Sequence, residues 1–596
     1  MTRTTHPLVL ALALTACAGS PATADCAGRD CEPSSTQATG TGDEGQTSSG
    51  GGLEALELPP AHSVNTGKVA TADTCESCHS NAEGASAMRD SEGRPIAPYD
   101  LWRATMMANS ARDPFWHAMV EAEVLATPSA AEAIEAKCMR CHAPLLAAEL
   151  ELGGLEAPGM QSLHTPGSDH AALGLDGVSC TLCHQIEDQE LGEASTFSGA
   201  WPIAGAGRSY GPHAAPFEMP MLNHVELQPV AGPQLRDSGL CATCHTLSTD
   251  ALRADGTAIG ASLPEQTPYL EWQHSAFSTE GEPGPAAAEC QDCHVPQRSV
   301  DGVPIVTRIA RRPMGDDFPP VSERQPYGRH VFVGGNTTML ALIRDQAATL
   351  NPHAPEAAFE ASIAATREQL QHATASLELG DISREGQRLR IPVSITSLAG
   401  HKLPTGFPSR RVFLRVEVRD GSDALVFRSG AFDARGRLLD PSDQVLPEEL
   451  AGGPLMPHLD VVDTPDRVQI WEAVMVDESD APTYRLLRGV DYIKDNRVLP
   501  AGWDPATAPG TITPRGVGGD PDFQSAGDTL TYLVDAPADA GPYTLTVEAY
   551  YQALSPRFLA ELFVLEGPKI AAFEAMLDGV ELEPERLAAA QTSVDW

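Results

Sequence analysis

Five times between Cys75 and His294 the chain repeats one pattern, Cys-x-x-Cys-His: Cys75-Glu-Ser-Cys78-His79, Cys138-Met-Arg-Cys141-His142, Cys180-Thr-Leu-Cys183-His184, Cys241-Ala-Thr-Cys244-His245 and Cys290-Gln-Asp-Cys293-His294. Two thiols at this spacing with an imidazole directly behind them are what covalent haem attachment needs. The thiols add across the porphyrin vinyl groups as thioethers. The adjacent His79, His142, His184, His245 or His294 is then carried under the iron as its proximal ligand. Structural zinc also uses Cys-x-x-Cys, but it pairs two such knuckles per metal. Five knuckles leave one over, and zinc needs no His after every second Cys. The sequence therefore predicts five covalently attached haems c.

The sixth position of each iron decides what a haem does. A second His or a Met closes it for electron transfer, and an open site admits small molecules. The chain has 18 His. Five are proximal and His6 lies in the leader, which leaves twelve. His213 and His224 sit in loops between motifs, His330 follows the last motif, and Asp169-His170 precedes the third; these are the leading distal candidates. His62, His117, His164, His274 and His401 form a second rank. His353, His372 and His458 are not expected to be ligands. Met106 and Met107, on a helix expected from Trp102 to Ser110, are the thioether candidates, with Met107 retained.

Haem c is attached outside the cytoplasm in bacteria, and the N-terminus agrees with export. Arg3 precedes an apolar run, Leu8 to Leu14, that is too short to span a bilayer. Leu14-Thr15-Ala16-Cys17 resembles a bacterial lipobox, which implies cleavage after residue 16 and a diacylated Cys17; the alternative is an ordinary signal with a spare Cys. Ala18 in place of Asp favours the outer membrane by resemblance to lipoprotein sorting. Several acyl chains on one Cys anchor stably. Of 13 Cys, ten serve the motifs and Cys17 takes lipid. Cys26 and Cys31 remain, either as a small-loop disulfide or as two exposed thiols. A net charge of −41 excludes nucleic acid as a partner.

The elements that must position the motifs fall into blocks. Residues 1–16 are the leader and 17–60 a Gly/Ser/Thr/Asp-rich tether. Residues 61–345 form a pentahaem domain, mostly helical or irregular, with helices expected at Tyr99 to Val124 (broken at Pro114), Ala130 to Cys141 and Tyr269 to Phe277. Aromatics make up only 5% of the chain, so porphyrins are expected to supply much of that core. Residues 346–376 are a connecting helix. From 377 to 596 the period changes to two, as in Leu389, Ile391, Val393 and Ile395 or Val412, Leu414, Val416 and Val418. These strands predict an antiparallel β-sandwich, immunoglobulin-like in form, with C-terminal helices at Phe558 to Phe563 and Ile570 to Leu577. Pro392 marks its strand as an edge or a bulge. The fold class is multidomain α+β.

Several segments resemble an exported bacterial family of multihaem cytochromes c, with a haem domain of the cytochrome c-554 type and a C-terminal β-sandwich. They are Gly177 to Ile186, Leu240 to Leu247, Glu271-Trp272 with Cys290 to Pro296, Gly400 to Gly406 with Ser409-Arg410-Arg411, and Lys494 to Arg497 with Leu499-Pro500. The resemblance spans about residues 70–570 and implies electron transfer without a defined substrate. Relatives often carry a distal His where this chain has Gln234 and Phe277.

The leading expectation is a lipid-anchored electron carrier of the cell envelope, at its periplasmic or outer face, exchanging electrons with other redox proteins. The alternative is an oxidoreductase of small nitrogen or sulfur compounds with one open haem. No Ser/His/Asp array, phosphate loop or dinucleotide fingerprint competes with either.

Overall fold

The computed structural model describes residues 52–205, 207–537 and 540–595. The leader, Cys17, Cys26, Cys31 and most of the tether lie outside them. From Gly50 onward the chain forms one compact unit. Among the described residues, no helix is long and apolar enough to cross a membrane.

The five motifs each end or fill a helix: Asp73–His79, Ala131–His142, Cys180–Cys183, Ser238–His245 and Cys290–His294. Side-chain caps fix the starts of the last two. Asp237 accepts from the Gly239 amide, and Glu289 and Asp292 form a reciprocal capping box, which satisfies amides that have no partner within the helix. The expected helix across Tyr99 to Val124 is two helices, Pro98–Trp102 and Pro114–Ala126, with the eleven residues 103–113, Met106 and Met107 among them, in turns or loop between them. Thr105, Asn109 and Ser110 sit in those turns, and the Asn109 amide bonds the Arg103 and Thr105 carbonyls. Such side chain-to-backbone bonds compete with a continuous helix. Three strand pairs interrupt the helical half: Arg208–Gly211 with Gln228–Ala231 in parallel, and Leu247–Leu252 with Ala258–Gln266 and Thr307–Arg308 with Glu323–Arg324 antiparallel.

The tether ends earlier than residue 60. Leu53–Leu56 form a 3-10 turn, and Leu56 and Leu58 are fully buried. The Leu58 amide donates to Thr349 O, and Asn351 Nδ2 donates to Leu58 O. Three leucines within six residues provide apolar area that composition counted over a longer window hides.

Beyond the helix Glu356–Ala373 come two sheets around a shared apolar core. One runs Pro482–Thr483, Ile470–Val476, Arg411–Arg419, Tyr543–Gln552, Glu585–Val594, with Leu425–Ser429 and Asp491–Asp495 alongside; the other runs Val461–Val462, Gly527–Asp535, Arg388–Ser397, Ala375–Leu379, with Ser383–Glu385. The pairing is antiparallel except Val461–Val462, which runs parallel to Gly527–Asp535. Leu389, Ile391, Val393 and Ile395 point inward as the alternation requires. Pro392 is not on an edge: Arg388–Ser397 is paired on both sides. The Pro392 carbonyl accepts from Gly380 on the side where the partner changes from Ala375–Leu379 to Ser383–Glu385. The amide hydrogen that proline lacks falls in that gap, so no ladder bond is lost.

The C-terminal helices Pro556–Phe563 and Pro568–Leu577 pack into the helical half's core. Phe115, on Pro114–Ala126, meets Phe407, Phe558 and Phe573 with ring centres 5.7–6.0 Å apart. Glu121 accepts from the amides of Lys569 and Ile570, and Glu123 from those of Leu486 and Leu487. Two carboxylates of one motif-half helix thus hold backbone from the later half.

Candidate functional site

Four of the five motif histidines share one arrangement. Nδ1 of His79 donates to Ile309 O at 3.0 Å, that of His142 to Ser110 O at 3.0 Å, that of His184 to Tyr210 O at 2.6 Å and that of His294 to Val333 O at 2.7 Å. A carbonyl only accepts, so the proton is on Nδ1 and the lone pair on Nε2, the tautomer that ligates metal. Burial lowers the pKa of all five motif histidines, to about 4 for His142 and His245. They stay neutral at pH 7 and ready to bind.

His330 repeats the arrangement from the other side. Its Nδ1 donates to Gly328 O at 3.1 Å, and burial pushes its pKa down to about 4. Its ring centre lies 6.4 Å from that of His184, with the planes 20° apart. An imidazole nitrogen bonds a transition metal at about 2 Å and the ring centre lies about 1 Å behind it, so two axial histidines on one metal have centres about 6 Å apart. The separation of the His184 and His330 ring centres is of that size. His401, whose Nδ1 donates to Lys402 O at 3.1 Å, is the first electrostatic neighbour of His294 and also acts on His245.

The other candidates are placed as follows. His117 is fully buried; one ring nitrogen donates to Ala111 O, and Nδ1 has no hydrogen-bond partner. His164 lies beside it, ring centres 5.7 Å apart, with its own Nε2 buried and unpartnered. His224 Nε2 meets Ser77 Oγ within the first motif at 3.0 Å. His213 is half-buried near Arg324 and Arg236. His62 pairs with Asp169 at 3.1 Å at the surface, and His170 is exposed. Met107 sits in a turn, half-buried, its carbonyl accepting from Val178. His458 is hydrogen-bonded within the sheet region. Gln234 is buried and donates to Ile186 O. Phe277 packs near Gly400, next to His401.

The motifs form a connected cluster. The Cys75 and Cys180 thiols are close enough to act on each other, as are Cys141 with Cys244 and Cys241 with Cys290; Cys183 also lies in electrostatic range of Cys244. Backbone bonds tie the same neighbours. Ala72 N donates to Asp176, Gly199 bridges Arg140 and Thr243, and Gln291 Nε2 donates to Asp237 O. The first motif thus neighbours the third, the third neighbours the fourth, and the fourth also neighbours the second and fifth.

Sequence reasoning had no signal for the carbonyls that set the tautomers, because any residue supplies one. It also passed over Arg311, whose guanidinium donates to Ser80 O and Ser77 O, both at 2.7 Å, and so closes the end of the first motif helix. Trp116 stacks on His142 with centres 4.6 Å apart and planes 3° apart.

No protein-family model matches the chain, and no curated protein matches it. Among solved structures the chain is similar to a penta-heme cytochrome c552 from Thermochromatium tepidum, at 16% identity and a TM-score of 0.48, covering 89% of this chain and 100% of that one.

Proposed function

We propose that the chain is a c-type multihaem cytochrome that carries electrons along five covalently bound haems in the bacterial cell envelope, held to a membrane, in this reading the outer one, by lipid on Cys17. The observation that carries the reading is the His184–His330 pair, two neutral imidazoles spaced for one iron at the third motif. Haem, when bound, supplies one-electron chemistry at iron. The chain's own residues do the rest. The ten motif thiols would hold the porphyrins, the Nδ1 bonds orient the motif histidines that would bind iron, and His330 would supply a further ligand beside His184. His401 is the candidate for another, beside His294. Contact between neighbouring motifs favours transfer from one group to the next, with the fourth motif as the branch point. Other redox proteins of the envelope are the partners in this reading.

Pyridine haemochrome titration with electron paramagnetic resonance of the purified ferric protein tests it. Five haems per chain, all low-spin, are expected. Fewer than five contradicts the count, and a high-spin haem that binds nitrite or CO favours the open-site oxidoreductase.

A further inference from the structure

A second cluster of ligating groups lies far along the chain from the motifs, where two loops meet the strand Gly527–Asp535. Asp460, Asp520 and Asp522 bring one carboxylate oxygen each within 4.8 Å of one another, and Asp520 also belongs to a group with His458 and Asp528. Acidic groups gather on surfaces without a ligand, so the cluster alone decides nothing. Asp528 adds a separate observation. Its side chain is 2% exposed, and its Oδ1 is buried without a hydrogen-bond partner, while Oδ2 accepts from Trp471 Nε1 at 2.7 Å. A buried carboxylate oxygen without a donor is costly unless a cation answers it.

His458 is not one of the ligands. Its Nδ1 accepts from Asn496 Nδ2 at 3.0 Å and Gln469 Nε2 at 3.1 Å. Both amides are locked in that orientation: Asn496 Oδ1 accepts from Glu472 N and Gln469 Oε1 from Leu459 N. The His458 proton therefore sits on Nε2 and is donated to Asp520 Oδ2 at 3.0 Å. This is the support that ligating carboxylates commonly receive from a neighbouring group. It leaves an oxygen-only donor set, which suits a hard cation and disfavours zinc. Carboxylates on two loops and one strand give the adaptable geometry calcium accepts, rather than the strict octahedron of magnesium.

We propose that Asp460, Asp520 and Asp522, with Asp528 joined to them through Asp520, form a binding site for one calcium-class divalent cation, with His458 holding Asp520 in place. The bound ion clasps the loops around residues 458–460 and 520–523 to the strand that carries Asp528.

Equilibrium dialysis of the haem-loaded full chain against calcium, in about 0.15 M KCl to screen diffuse attraction, tests the site. One calcium retained per chain is expected, together with a calcium-dependent rise in unfolding temperature. Asp460→Asn with Asp522→Asn, both at exposed positions, is expected to remove the retained ion and the thermal shift while leaving the haem spectrum unchanged. His458→Gln weakens calcium affinity about tenfold, which a merely structural histidine would not do. Calcium binding equal in wild type and the double variant overturns the proposal, as does retention of zinc in place of calcium.

Discussion

The imidazoles of His184 and His330 face each other with ring centres 6.4 Å apart, each held by its own Nδ1–H bond to a backbone carbonyl. Both rings are therefore oriented before any metal arrives. In the proposed reading, replacing His330 by Ala leaves the His184 side of the iron intact and opens the opposite side. The variant is expected to show one high-spin ferric haem per chain and to bind CO in the ferrous state. His330→Met keeps the position closed but exchanges nitrogen for a thioether, which raises the potential of that haem. A redox titration resolves this as one component shifted upward. An all-low-spin spectrum for His330→Ala would remove His330 from the iron.

The proximal half of each candidate site was legible because attachment chemistry writes itself into contiguous residues. The opposite side was legible only as a field of candidates, His330 among the leading ones, because a second ligand needs only one His brought near by tertiary structure. His330 and His401 lie far from their partners in sequence, and His62 and His170, equally plausible by position, lie at the surface. The long strands were legible through alternation, as at Leu389 to Ile395. The edge reading of Pro392 failed because the amide-free position coincides with a break in the neighbouring strand, which a single strand cannot reveal. Separation into blocks was the weakest part, since Phe115 and Phe558 meet across most of the chain's length.

Three of the segments that carry the family resemblance, those with Glu271, Lys402 and Asp495-Arg497, converge on one buried ion network. Lys402 Nζ meets Asp495 at 2.6 Å, Arg497 bonds both Asp495 oxygens at 2.7 and 2.9 Å and reaches Glu271 at 3.1 Å, and the Lys402 amide donates to Glu271. Two cations face two anions with almost no exposure. Lys402→Met strands negative charge in the interior and is expected to cost about 3–5 kcal/mol. Lys402→Met with Asp495→Asn removes a charge of each sign, so the double variant is expected to lose less than the sum of the singles. Denaturant midpoints of the four proteins check it, and strict additivity would show that the pair is not coupled.

Asp113 caps the helix Pro114–Ala126, accepting from the Phe115 amide at 2.9 Å. Burial pushes its pKa up to about 7 against the pull of that bond. A raised folded pKa means the native state holds the proton while the unfolded chain releases it. Stability from this group is full below about pH 4 and is lost as pH rises through about 7. Asp113→Asn keeps an oxygen for the cap and removes the titration. Its stability relative to wild type is expected to improve between pH 5 and pH 8, by on the order of 2 kcal/mol. A difference independent of pH would mean that Asp113 is not protonated in the native state.

Leu56 and Leu58 close the motif half's core from a segment that composition assigns to the tether. Their side chains have no solvent exposure to lose, so truncation leaves a cavity as well as removing transfer energy. Leu56→Ala or Leu58→Ala is expected to destabilise by about 2–5 kcal/mol. Leu53, 37% exposed in the same turn, is the control; Leu53→Ala is expected to stay within about 1 kcal/mol. The comparison also separates tethering from folding. If the segment only held the chain off a surface, all three variants would unfold at the same denaturant concentration as wild type. Loss confined to Leu56→Ala and Leu58→Ala places the folded boundary before residue 56.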